Sequence, residues 1–197
     1  MQSAFAGSTL RLDIFYVAFA IWCIPELIGF FTQRPGPDAQ VHNRASRVIL
    51  MGLMWVGIFG AFWSAGHLRS AEIGFARLPI YWSGIALILA GTAFRWYAIR
   101  TLGIYFTRDV ATRPDQQVVQ NGPYRLIRHP SYTGGLMALL GIGLALGNWI
   151  GLALIVLLPL AAYLYRMGIE ERVLVEALGQ PYRDYMSRTR RLIPFVY

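Results

Sequence analysis

The chain has 197 residues, 56% of them hydrophobic and 14% charged, with a positive mean hydropathy. Soluble domains lie nearer a quarter charged, so this balance excludes an ordinary water-soluble globule and points to an integral membrane protein. The net charge of +8 rests entirely on Arg, placed mostly between apolar runs rather than in a basic stripe interleaved with aromatics, which argues for lipid headgroups and against a nucleic-acid partner.

The first apolar run, Leu12–Phe31, has Arg11 as its only basic flank, and Pro25 and Glu26 interrupt its end. No small-residue cleavage site follows, so it reads as a retained span rather than a signal peptide. Cys23, inside this run, is the single cysteine, which rules out an internal disulfide; no Cys/His cluster has metal-ligand spacing, so no metal is expected.

Further runs cover Val48–Ala65, Leu78–Ile99, Tyr132–Leu146 and Trp149–Met167. Each approaches or reaches the roughly 20 residues that cross a bilayer as a helix. The expected fold class is therefore an all-α integral membrane protein with about five transmembrane helices. Only Gly147 and Asn148 separate the last two, which predicts a tight helical hairpin. The fourth run is short: roughly 16 residues at about 1.5 Å each give about 24 Å, against roughly 30 Å of hydrocarbon. It fits if Pro130 starts within the membrane, sinking a polar pocket into the interface.

Gly143, Gly147 and Gly151 recur every fourth residue in apolar sequence, which predicts close helix packing rather than a phosphate-cradling loop. Pro159 is expected to kink the fifth span. Beyond Arg166 the pattern predicts a helix to about Leu178, a break at Gly179-Gln180-Pro181, and an amphipathic piece with Tyr182 and Tyr185. Its Arg and Tyr content suits the headgroup surface.

Arginine placement predicts topology. Connection 32–47 carries Arg34, Arg44 and Arg47; connection 100–131 carries Arg100, Arg108, Arg113, Arg125 and Arg128. The tail carries Arg172, Arg183, Arg188, Arg190 and Arg191, and the opposite side has only Arg11, Arg69 and Arg77. The positive-inside rule then puts the N-terminus outside and the C-terminus in the cytoplasm. The all-Arg usage suggests a bacterial inner membrane.

Residues 121–135, Asn-Gly-Pro-Tyr-Arg-Leu-Ile-Arg-His-Pro-Ser-Tyr-Thr-Gly-Gly, set polar and cationic groups directly before the apolar hairpin. Arg166, Glu170 and Glu171 stand at its other foot. His129 precedes Pro130, which favours an extended backbone there and a helix start just after. Arg166 and Glu170 are four apart and share a helix face, while Glu171 points about 100° away. An i,i+4 ion pair is the plainer interpretation, but charge at a membrane boundary is costly and often functional.

Gly122-Pro-Tyr124, Arg128-His-Pro-Ser-Tyr132-Thr-Gly134, Arg166-x-x-x-Glu170-Glu171 and Gly179-x-x-Tyr182-x-x-Tyr185 together resemble the isoprenylcysteine carboxyl methyltransferase family. Phospholipid N-methyltransferases share that C-terminal core. The resemblance implies a single membrane domain with a variable part, 1–94, and a methyltransferase-like core, 95–197. It implies S-adenosylmethionine (SAM) as methyl donor and S-adenosylhomocysteine as product, without a Rossmann domain, and no strand-Gly-x-Gly-x-x-Gly-helix unit is present. Carried over by position, the cofactor would meet Gln116, Gln117, Val118, Val119, Tyr124, His129, Pro130, Ser131, Tyr132 and Glu170, and Arg166 would hold the acceptor.

The chemistry of those side chains suits the assignment. Glu170 can pair with the cofactor ammonium, and His129 or backbone N–H groups at the helix start with its carboxylate. Tyr124 and Tyr132 offer faces for adenine or the sulfonium. An ionised carboxylate acceptor needs no general base, and Arg166 can hold it without taking a proton. Arg166 and Glu170 are thus the candidate catalytic residues, and the expected acceptor is a lipid-like, amphipathic or prenylated carboxylate. Phospholipid amine or thiol methylation stays open. So does an NADPH-dependent sterol double-bond reductase, although Ser131 and Gly135 replace the Asn and acidic residue usual there, as does a non-catalytic membrane module.

Overall fold

A bilayer offers the backbone no hydrogen-bond partner, so apolar runs satisfy their own amides as helices. In the computed structural model, which describes residues 9–33 and 35–194, these are α1 (Thr9–Thr32), α2 (Ala45–His67), α3 (Arg77–Leu102), α4 (Pro130–Leu146) and α5 (Trp149–Leu178). A short α6 (Gln180–Arg188) follows. α1, α2, α5 and α3 with its extension to Tyr105 are long and apolar enough to cross a membrane, and α4 is the shorter fifth. Each helix outlasts its apolar run, because charge ends burial in lipid without ending the hydrogen-bond ladder. The 30 residues of α5 reach about 45 Å, so its last turns, with Glu170 and Glu171, project beyond a roughly 30 Å hydrocarbon layer. Ile28, Phe59, Trp63 and Leu157 point outward and exposed, as lipid contact requires.

Two helix pairs build the bundle. Between α3 and α4 the backbones nearly touch. A Cβ at Gly91 would lie 2.7 Å from the Gly134 carbonyl, and one at Gly84 would lie 2.6 Å from that of Gly141. Small residues permit this approach, which gains dispersion contacts where no hydrophobic drive exists. α2 packs on α5 in the same way, with a Cβ at Gly57 falling 2.9 Å from the Leu154 carbonyl and one at Gly151 falling 2.8 Å from Ser64 Oγ. α1 lies over α3, burying Phe15, Ala18 and Trp22 in a core shared with Tyr81, Ile88, Leu139 and Ile142.

The predicted hairpin forms, but its three glycines divide their roles. Gly143 and Gly151 pack against Leu152 and Ser64 within the chain. Gly147 instead caps α4 at φ 68°, its N–H reaching the carbonyls of Gly143 and Leu144. Asn148 begins α5 by accepting from the Gly151 N–H at 3.0 Å, and its amide donates to the carbonyls of Ser64 and Leu68, tying the tip to α2. α5 runs unbroken as a helix through the buried Pro159.

The arginine-rich connections meet at one end of the bundle. β1 (Gln40–Asn43) and β2 (Val110–Thr112) form an antiparallel ribbon that joins the first connection to the second. Arg34 of the first connection lies outside the described residues. After α6 the tail returns beside residues 126–129, where the Arg128 and His129 N–H groups donate to the carbonyls of Arg190 and Arg191. The amphipathic piece expected at the headgroup surface forms as α6 and packs its tyrosine face on protein: Tyr182 and Tyr185 are buried, and Arg183 and Arg188 face outward. One helical period serves an interface or a protein groove equally, and the groove was supplied by residues distant in sequence.

Candidate active site

A cleft of about 80 Å³ opens at the arginine-rich end. Its wall is formed by the 105–119 loop, Tyr124, the 128–132 turn, the end of α5 and the α6 tyrosines. Gln116, Gln117, Val118, Val119, Tyr124, His129, Ser131, Tyr132 and Glu170 all line it, joining positions up to 54 residues apart. Pro130 stands apart: it is buried at the first turn of α4, where its fixed φ starts the helix. His129, its N-cap at φ −124° and ψ 55°, leaves the helical region without full extension. The Tyr185 hydroxyl donates to the Tyr124 carbonyl at 2.8 Å. Burial pushes the phenols of Tyr124, Tyr182 and Tyr185 upward, so all three stay neutral at physiological pH.

Tyr132 is central. Its ring lies between those of His129 (5.4 Å, 10°) and Tyr163 (4.6 Å, 22°) in a continuous stack. Arg166 Nε donates to its hydroxyl at 2.8 Å, and that hydroxyl donates to Glu170 Oε2 at 2.8 Å. The proton direction is forced, because a guanidinium has nothing to accept with. The i,i+4 ion pair between Arg166 and Glu170 is therefore replaced by a bridge through a phenol from α4. Arg166 also donates to Ser46 Oγ at 3.3 Å and to the Arg108 carbonyl at 2.7 Å, gathering α2, α4, α5 and the 103–119 loop around one buried cation.

Glu171, which the helical wheel turns away from Arg166, proves to be an anchor. Its carboxylate takes Arg128 at 2.8 Å, Arg191 at 2.7 Å and His129 Nε2 at 3.3 Å. His129 is thereby held by its far nitrogen, with Nδ1 3.9 Å from Glu170 Oε2.

A second, larger cavity of about 310 Å³ lies between α1 and α2. Its walls are apolar, including Trp22, Leu27, Phe30, Met51, Met54 and Trp55, and its floor holds Glu26, Arg95, Arg108, Arg166 and Tyr163. Phe106, Thr107 and Tyr132 line both cavities and so form the partition between them. Glu26, Arg95, Arg108 and Tyr163 were not legible as site residues. The available signal was charge inside apolar runs, which membrane burial makes expensive.

The chain matches the family described as phospholipid methyltransferase over residues 79–181, just over half its length. A probable protein-S-isoprenylcysteine O-methyltransferase from Oryza sativa subsp. indica is 29% identical over 136 residues, covering 66% of this chain and 71% of the relative. The Arabidopsis thaliana protein-S-isoprenylcysteine O-methyltransferase B is 31% identical over 115 residues, covering 57% and 58% of the two. The solved structure of a eukaryotic intramembrane Ras methyltransferase, isoprenylcysteine carboxyl methyltransferase, aligns with a TM-score of 0.56 and 25% identity. That alignment covers 94% of this chain and 62% of that one.

Proposed function

The chain belongs to the phospholipid methyltransferase family, and from that premise we propose a membrane-embedded, SAM-dependent methyltransferase that esterifies the carboxylate of a lipid-like or prenylated acceptor. One observation carries this reading: a cleft lined by mixed polar and apolar groups and an apolar, lipid-side cavity share Tyr132, Phe106 and Thr107 among the described residues, with Glu170 on one side and Arg166 on the other.

The cleft suits the cofactor in its donor set: carboxylates, an imidazole and neutral phenols line it. Glu170 would hold the ammonium, and Tyr124 and Tyr132 would supply aromatic faces. The loop at Gln116–Val119 would close over the nucleoside. When bound, SAM supplies a sulfonium methyl: an acceptor carboxylate oxygen forms the new C–O bond, the C–S electrons return to sulfur, and S-adenosylhomocysteine and a methyl ester result with no proton transferred. The protein's own contribution is alignment and exclusion of water. Arg166 fixes the carboxylate, and the stacked rings of His129, Tyr132 and Tyr163 stiffen the partition.

A phospholipid amine acceptor is the second reading. It would have to shed a proton beside Arg166, which favours the carboxylate. The arginine-rich end of the bundle supports a cytoplasmic site by the positive-inside rule. Purified protein should be heat-stabilised by S-adenosylhomocysteine and not by NADPH. Stabilisation by NADPH alone would instead support the reductase. Labelled SAM with isolated membranes should yield base-labile methyl esters, and base-stable methylamines would support the second reading.

A further inference from the structure

Four arginines line the apolar cavity, and three already face a carboxylate. Arg47 pairs with Asp109 at 2.9 Å. Arg95 grips both oxygens of Glu26, and Arg108 reaches Glu26 Oε2 at 3.0 Å. Arg166 differs: its donors go to the hydroxyls of Tyr132 and Ser46 and the carbonyl of Arg108, and among the described residues no carboxylate lies within ion-pair distance of it. Its charge is therefore held in place by neutral groups, with no carboxylate in direct contact among the described residues.

Glu26 belongs to α1, outside the matched residues 79–181. A carboxylate inside a membrane helix is expensive unless paired, and this one draws its partners from α3 and the loop beyond it. Remove its charge, and three guanidinium groups would compete on one cavity floor for any entering anion.

We propose that Glu26 is a positioning residue: an internal counter-anion that keeps Arg95 and Arg108 occupied, so that an acceptor carboxylate finds its cation at Arg166, beside Tyr132 and the donor cleft. This rests on the acceptor role of Arg166 given above. Arg108 holds the loop that carries the partition through a further bond to Gln33 Oε1 at 3.0 Å, so the same anion also fixes where Phe106 and Thr107 stand.

The test uses the chain in lipid nanodiscs, labelled SAM, and N-acetyl-S-farnesylcysteine as a probe combining a prenyl thioether with a free carboxylate. In Glu26→Gln an acceptor held by Arg95 or Arg108 is bound out of line, so kcat should fall about 10–100-fold and KM should fall with it. Affinity for S-adenosylhomocysteine should stay within about twofold, reporting an intact donor cleft. Glu26→Asp keeps the charge and should move both constants back towards wild type. If Glu26→Gln does not accumulate, Glu26→Asp carries the test: its shorter reach should lower kcat and KM together, in the same sense and by less. Wild-type constants in Glu26→Gln, or a fall in kcat at unchanged KM in either variant, would overturn the role of Glu26 alone. A wild-type chain that binds S-adenosylhomocysteine yet never methylates the probe would overturn the carboxylate reading itself.

Discussion

Arg166 and Glu170 meet through the Tyr132 hydroxyl, which accepts from the first and donates to the second at 2.8 Å on each side. The residue assigned to the acceptor and the residue assigned to the cofactor are thus joined across the partition by one oxygen. Tyr132→Phe keeps the stacked ring and deletes this link. A hydrogen bond to a charged group is worth about 1.5–3 kcal/mol, so kcat/KM should fall about 10–100-fold, measured with labelled SAM. A loss below twofold would show the hydroxyl to be dispensable.

Glu170 faces the cleft, partly exposed, and the described residues bring it no guanidinium within ion-pair distance. Glu170→Gln should weaken S-adenosylhomocysteine about 10–100-fold by calorimetry, through loss of a charge-assisted bond to the ligand ammonium. Unchanged affinity removes Glu170 from the site.

Arg166→Ala separates the two cavities' functions. Turnover should drop about 10²–10³-fold, the scale for losing a preorganised donor at the reacting group. Cofactor affinity should change by no more than a few-fold, because Tyr132 retains its bond to Glu170. A fully active variant contradicts the acceptor role.

These residues were differently legible. Helix spacing and a two-residue hairpin, both local, bring Arg166, Glu170 and Tyr132 together, while their expected roles came from the family resemblance. The Glu26–Arg95–Arg108 cluster joins positions 69 and 82 apart, through packing that no local period encodes. The 40–43 ribbon was equally hidden, since Gln-Val-His-Asn has no strand-like run and forms only because 110–112 lies alongside. Glu171 was set aside by a helical wheel that considered one helix, whereas its partners come from the 128–129 turn and the tail.

Glu171→Gln should therefore act on stability before chemistry. It leaves Arg128 in a buried site with a much weaker partner, a change of the kind that costs about 3–5 kcal/mol. The expected outcome is a lower melting temperature and protease cleavage around residues 188–192, where the tail is no longer held. Wild-type protease resistance would show that the backbone bonds to Arg190 and Arg191 suffice.

Because the N–H groups of Arg128 and His129 donate to carbonyls 62 residues further along the chain, the turn that opens α4 and the segment that follows α6 latch each other in place. A disturbance near Arg190 is therefore felt at His129, although no side chain need carry it between them.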